Sequence, residues 1–326
     1  MTRVWKTYNR ELILLALLVI SFIGVGINAP SFLEVKSLDA IWHDSSLLIV
    51  LALGQMLVIM SRGIDLSVAA NIALSGMLVA LVGKVLPGLP MIAYLILGAV
   101  FGLILGCINA TLINALELPP IVSSLGMMSV FRGLAYFFSG GQWVNSNELP
   151  VALIEFPNSR FLGLTGLEWV SIIAVIFFYF LIQHSRFGRE IRALGGNPNA
   201  AKYVGIPEKR RLFSLYALSG TVAGFVGVLW VARYALASTE IANGFELQDI
   251  AACVLGGVSI VGGVGSIYGT VLGAVFLVTL YNALPIINVS PFWQTAIVGV
   301  AILIAAVVNQ SSSRTKGKHI LREVTT

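Results

Sequence analysis

Residues 12–27 read Leu-Ile-Leu-Leu-Ala-Leu-Leu-Val-Ile-Ser-Phe-Ile-Gly-Val-Gly-Ile, an uncharged run that follows Arg3, Lys6 and Arg10. A helix on the surface of a water-soluble protein carries a polar face opposite its apolar stripe. This run has no such face, so its natural solvent is lipid. With its flanking residues it reaches the roughly 17–25 residues that cross a bilayer as a helix. A cleaved leader would have a shorter core and a small-residue cleavage site after it. The run is long and the chain continues in the same style, which predicts a retained first span.

Working outward, the same texture recurs along all 326 residues, of which 57% are hydrophobic and 11% charged. The mean hydropathy is +0.92. Soluble domains carry about 25% charged residues, so one water-soluble core cannot hide this much apolar surface. Ten spans are predicted, at 11–28, 45–61, 66–84, 91–115, 119–138, 168–184, 211–233, 249–262, 268–284 and 292–309. The fold class expected is therefore all-α and polytopic, with about ten transmembrane helices in one membrane domain over 1–310. A basic, Ser-rich tail occupies 311–326. Little chain remains for a soluble catalytic domain. Cys107 and Cys253 both lie in apolar stretches and read as small packing residues, not as a disulfide or metal site.

The charges orient the spans. Alternation from a cytoplasmic N-terminus places Arg3, Lys6, Arg10, Arg62, Arg186, Arg189, Arg192, Lys202, Lys209, Arg210, Arg211, Arg314, Lys316, Lys318 and Arg322 inside. Lys36, Lys84, Arg132, Arg160 and Arg233 are left for the outer segments and spans. That asymmetry follows the positive-inside rule, so both termini are expected in the cytoplasm. It also accounts for the net charge of +5 without nucleic acid as a partner. Residues 139–167 are acidic enough for the outer face, whereas the basic loop 185–211 belongs inside.

That inner loop holds more order than a linker needs. Asn197 suits an N-cap, and Pro198 suits the first helical position, where no N–H is required. Gly205 can adopt the left-handed conformation that closes a helix. Between them, Ala200, Ala201, Lys202, Tyr203 and Val204 tolerate a helix of about two turns. The residues alone leave two readings open: an orientation loop resting on anionic headgroups, or a docking helix for a cytoplasmic partner.

The run from Gly188 to Ile206 (Gly-Arg-x-Ile-x-Ala-x-Gly-x-Asn-x-x-Ala-Ala-x-x-x-Gly-Ile) resembles the cytoplasmic loop of permeases from carbohydrate-importing ATP-binding cassette (ABC) transporters. Gly63-Ile64-Asp65-Leu66-Ser67 looks like a second signature, and residues 251–266 with Gly256-Gly257 and Gly262-Gly263 look like a third. Each alone is weak, but the three lie in the family's order along nearly the whole chain. The resemblance implies a ten-helix subunit in the bacterial inner membrane. It further implies an ATP-binding subunit, a periplasmic solute-binding protein and a second permease copy or paralogue as partners. No cofactor is implied. By the same resemblance, Gly195, Gly196, Asn197, Pro198, Ala200, Ala201, Gly205 and Ile206 form the helix that seats on the ATPase. Gly195-Gly196 stands where relatives often carry Gly-Asn or Gly-Asp.

Asp65, Ser67, Asn71, Arg132, Gly256 and Gly257 are candidates for the translocation pathway. Each has a plain structural alternative. Asp65 can cap the next helix. Asn71 and Ser75 can bond between helices, Arg132 can snorkel from a span end, and the glycines can serve tight packing. Pro119-Pro120 needs no account beyond starting the fifth span.

The chain has no Gly-x-x-x-x-Gly-Lys-Ser/Thr phosphate loop, no His-Glu-x-x-His zinc motif and no Gly-x-Ser-x-Gly elbow. It is expected to be a transport subunit and not an enzyme. An ion-coupled transporter is the alternative from another class. Such coupling needs ionisable groups at membrane depth, and the sequence offers only Asp65 and Arg132 near span ends. For cargo, residues 282–294 look closest to permeases for rhamnose, taken first, and for the sugar-derived autoinducer. Ribose and, more distantly, branched-chain amino acids are alternatives.

Overall fold

The computed structural model describes residues 2–290 and positions 293, 296, 299, 300 and 303. The tenth expected span is almost wholly outside the described residues, as is the basic tail.

Twelve α-helices make up the described chain: α1 (Thr2–Asn28), α2 (Val35–Met60), α3 (Val68–Val85), α4 (Met91–Ala115), α5 (Pro120–Ser139), α6 (Val151–Glu155), α7 (Gly166–Tyr179), α8 (Arg186–Gly196), α9 (Pro198–Tyr203), α10 (Glu208–Tyr234), α11 (Phe245–Leu255) and α12 (Ile267–Ile286). Eight of the helical stretches are long and apolar enough to cross a membrane, the sixth of them running to His184 through a π-helical turn after α7. The only strands among the described residues form a two-residue hairpin, Arg160–Phe161 against Leu164–Thr165. The chain is a multi-pass, all-α membrane protein.

α2 is the axis. Its most apolar window is 94% buried, against 11% for α1. It is wrapped by α7, α10, α11 and α12. α3 packs on α10, α5 and α4. α1 lies along α12 and leaves Ile20, Ile23 and Ile27 exposed, as a lipid-facing helix does.

A seam of small residues holds α4 to α10. Gly98, Gly102 and Gly106 recur every fourth residue on α4 and face Gly220 and Gly224 on α10. A Cβ on Gly98 would stand 2.7 Å from the Gly224 carbonyl oxygen, and one on Gly106 would stand 2.9 Å from the Gly220 Cα. Lipid tails are as apolar as leucine, so helices in a bilayer gain little from hydrophobicity and associate through such close backbone contact. The glycines after residue 255 are the more conspicuous in the sequence, but this four-residue repeat is the one that joins two full spans.

Two expected spans are corrected. The second begins at Val35 and not at 45, because Lys36, Asp39, His43 and Asp44 sit on the early turns of one continuous helix. The eighth, expected at 249–262, is an 11-residue helix followed by an irregular stretch. At roughly 1.5 Å per residue, α11 covers about half a bilayer core. It ends in a Schellman turn: Gly257 takes φ 85°, its N–H donates to the Val254 carbonyl, and the Val258 N–H donates to that of Cys253. Residues 256–266 then continue to the end of the bundle that carries α8 and α9, where the Gly263 N–H donates to Met60 O at 2.8 Å. The start of the stretch, Gly256 to Val258, is buried against protein, as irregular backbone at membrane depth must be, whereas Ile260, Val261 and Val264 nearer the bundle end are exposed.

Candidate functional site

The three sequence signatures, far apart in the chain, meet at one end of the bundle. By the distribution of Lys and Arg this end is cytoplasmic. α2 stops at Met60, and Arg62 adopts φ 70°, a left-handed conformation costly for a side chain of its size. That turn aims the guanidinium at the end of α8. Its Nε donates to Gly195 O at 2.7 Å and its Nη2 to Gly196 O at 3.0 Å. Gly262, at φ 92°, is pressed against both, and a Cβ there would lie 2.5 Å from Arg62 Cγ and 2.8 Å from Gly195 O. A Cβ on Gly195 would strike Met60 O, with Gly263 N 2.5 Å away. Gly195 is thus fixed by close approach, while Gly196 is open and meets nothing within 4 Å.

Beyond this junction stands the capped helix. The Asn197 side chain accepts from the Ala200 N–H at 3.1 Å, and Pro198 opens α9. The Gly205 N–H donates to Lys202 O and the Ile206 N–H to Ala201 O, each at 3.1 Å, with Gly205 at φ 78°. Ala201 is buried, whereas Tyr203 and Val204 are 91% and 74% exposed. Six residues with both ends capped and an apolar tip turned outward behave as a rigid knob, not as a linker.

Glu190 ties this knob's support to the bundle. Its carboxylate accepts from Arg211 at the start of α10 and, at 2.6 Å, from Arg186. These partners, Arg211 first, hold the carboxyl below its ordinary value of 4.5. A depressed folded value stabilises the fold above the unfolded value and loses that contribution as the pH falls through the folded one. Glu190→Gln is therefore expected to lower the melting temperature by a constant amount from pH 6 to 8. The gap should close only well below pH 4.5. A gap unchanged at low pH would assign the loss to packing instead.

Behind Arg62, the Gly63–Ser67 run turns into the protein and carries a buried polar cluster. Asp65 Oδ1 accepts from Ser67 N at 3.0 Å and Ser67 Oγ at 2.6 Å, and Oδ2 accepts from Ser219 Oγ at 3.0 Å. Gln55 Nε2 donates to Asp65 O, and Ser123 Oγ donates to Asn109 Oδ1 beside it. Ser67 holds the N-cap position of α3 without a side-chain capping bond, and Asp65 accepts the Ser67 N–H just ahead of the helix. Asn71 spans the glycine seam, its Nδ2 within 3.4 Å of Gly102 O and 3.3 Å of Gly220 O, and Ser75 donates to Asn71 Oδ1. Within this chain Asn71 makes the interhelical bonds, and Ser75 steadies it from the next turn of the same helix.

The remaining candidates lie elsewhere. Gly256 packs on Gly269 of α12, and Gly257 closes α11. Arg132 Nη1 donates to Thr239 O at 2.6 Å and Ile241 O at 2.8 Å, tying down the loop after α10 at the opposite end. The expectation that Asp65 and Arg132 alone offer ionisable groups at depth is corrected by Asp249. This residue is fully buried on α11, with no hydrogen-bond partner among the described residues for either carboxylate oxygen. The sequence placed it at a span edge because the helix start was set four residues late.

Fold and junction together define a membrane permease: a bundle of apolar helices with a rigid hook on its cytoplasmic face and no catalytic constellation among its described residues. Residues 37–306 match the family described as branched-chain amino acid transport system / permease component, and the chain belongs to that family. It is similar to the autoinducer 2 import system permease protein LsrC of Escherichia coli K12, with 32% identity over 296 residues, 90% of this chain and 85% of that one. The protein of the same name from Shigella flexneri matches equally, and that from Salmonella typhi is 29% identical over 296 residues.

Proposed function

We propose that this chain is the inner-membrane permease subunit of a sugar-type ABC importer, with autoinducer 2 as its first cargo and rhamnose or another simple sugar as the second reading. The carrying observation is the α8–α9 hook braced by Arg62. ATP is hydrolysed on a separate cassette subunit, and closure of the cassette dimer must push on something stiff. A helix with Asn197 and Gly205 at its ends transmits displacement, and Tyr203 and Val204 offer the apolar tip that fits a groove. A periplasmic binding protein delivers the cargo, and a second permease copy or paralogue completes the passage. The names of the relatives favour autoinducer 2 over rhamnose.

The test is uptake by vesicles containing this chain, its cassette subunit and its binding protein. Autoinducer 2 should accumulate only with ATP. Accumulation driven by a proton or sodium gradient through this chain alone would overturn the reading. In the same system, Gly205→Val forces a β-branched residue to φ 78°. It should leave membrane insertion intact and cut cassette co-purification by roughly ten-fold, on about 1–3 kcal/mol of local strain. Undiminished co-purification would remove α9 as the docking element.

A further inference from the structure

At the end of the bundle opposite the hook, a cavity of 530 Å³ opens between α2, α10, α12 and the loop 238–244. Sites for small ligands typically measure about 300–1,000 Å³ and combine apolar walls with a few convergent polar groups. One wall is aromatic and already assembled. Trp230 stacks edge-on against Phe245 with ring centres 4.8 Å apart and lies 5.1 Å from Tyr234, and Trp143 and Tyr281 also line the space. The facing groups are carboxylates and carboxamides: Asp44, Glu240, Asn243, Gln248 and Asn282. Among the described residues no Lys, Arg or His lines it.

Both of its carboxylates already have partners within the protein, a cation for Asp44 and a hydroxyl for Glu240. Asp44 Oδ1 accepts from Arg233 Nε at 3.1 Å and from the Tyr234 hydroxyl at 3.2 Å. Glu240 Oε1 accepts from the Tyr136 hydroxyl at 2.5 Å. The loop wall is held rigidly, by Arg132 on the carbonyls of Thr239 and Ile241 and by the paired backbones of Val144 and Ala237. A bound carboxylate or phosphate would find no free cation, since Arg233 is taken by Asp44, and would meet the Glu240 carboxylate. Flat rings that cover C–H faces, beside oxygens and amides that take O–H groups, suit a neutral molecule with many hydroxyls.

We propose that this cavity binds a neutral polyhydroxylated molecule of monosaccharide size, so that the permease itself selects cargo at its outer mouth. The proposal rests on the reading of the chain as a sugar-type permease, but it assigns a site inside a single subunit and excludes free amino acids as occupants. Arg132 is the positioning residue of its wall.

The experiment uses the full chain in nanodiscs without the binding protein, followed by tryptophan fluorescence, since two tryptophans line the cavity. L-rhamnose, D-ribose and autoinducer 2 are the probes without ionised groups; leucine, a zwitterion carrying a carboxylate, and gluconate, an anion, are the contrasting ones. At least one neutral probe should change the fluorescence saturably, whereas leucine and gluconate should not. Gln248→Ala should weaken that binding roughly three- to ten-fold through loss of a neutral hydrogen bond. Asn243→Ala, whose side chain is exposed and so tolerates truncation, is the second variant and should weaken it similarly. Absence of saturable binding by all three neutral probes would overturn the proposal. Equal binding of gluconate, or unchanged affinity in both variants, would also overturn it. ATP-driven uptake in the complete importer separates the two claims: uptake without binding to the isolated permease sinks this cavity and leaves the proposed function standing.

Discussion

Arg62→Ala is expected to lower ATP-driven uptake at least ten-fold while leaving the amount of permease in the membrane nearly unchanged. The guanidinium makes two charge-assisted bonds to the last carbonyls of α8, at 2.7 Å and 3.0 Å. Bonds to charged groups contribute about 1.5–3 kcal/mol each, and the one to the less accessible Gly195 counts for more, because water replaces it poorly. Without them the hook stays helical but loses its rigid tie to the Asp65 cluster, so cassette movement is spent on local bending. Cassette ATPase activity should persist and become insensitive to the loaded binding protein. Two companion variants separate this from simpler causes. Arg62→Gly relieves the left-handed strain at φ 70° and should fail just as badly, since strain relief does not restore the tie. Arg62→Lys, a single charged point in place of a planar fork, should recover only part of the uptake. Normal coupled uptake in Arg62→Ala would show that the tie is dispensable.

Gly102→Leu should abolish accumulation of folded protein, and Gly102→Ala should destabilise it by about 1–3 kcal/mol net. Two effects compete for the alanine. It is the better helix former by about 1 kcal/mol. Its Cβ, however, would collide with Gly220 O and stand 2.7 Å from both the Cα and the N of Gly224. Backbone atoms cannot swing aside as a side-chain tip can, so α4 and α10 must separate along their length, pulling the carbonyls of Gly102 and Gly220 away from Asn71. The steric effect wins. Gly126 on α5 is the control, since nothing lies within 4 Å of the site of its Cβ. Gly126→Ala should be neutral or slightly stabilising by thermal-shift chromatography. If Gly102→Ala melts no lower than Gly126→Ala, the seam is not the structural spine described here.

Much of the architecture was legible in the chain because lipid imposes a one-dimensional constraint. A stretch such as residues 12–27 has one place to go, whatever its neighbours do. The hook was legible for a similar reason, since caps act within a turn, and Asn197 and Gly205 announce their roles through residues three or four positions away. Where the reading failed, the deciding contact came from another helix. The eighth span looked continuous because 249–262 is apolar enough, yet Gly256 packs on Gly269 and Gly257 turns the chain out of the helix at φ 85°. Asp249 looked like an edge residue because α11 begins at Phe245, four residues before the expected start. The α4 repeat of Gly98, Gly102 and Gly106 was readable as a close-packing motif by its spacing alone; its partner on α10 was not.

The long run after Arg10 and its successors determined by themselves that this protein lives in a bilayer, how most of its helices are bounded and which face carries the hook. Hydrophobicity, capping and charge asymmetry act locally or through the membrane itself. Only the tertiary structure decided that the three signature runs converge on Arg62 and that Asn71 binds helices together. It also decided that Arg132 braces the wall of an outer cavity. Those outcomes depend on which surfaces meet across more than a hundred residues of chain, such as Arg62 with Gly195 or Arg132 with Thr239. Such pairings are settled by shape and hydrogen-bond demand in three dimensions, and a linear pattern does not encode them directly.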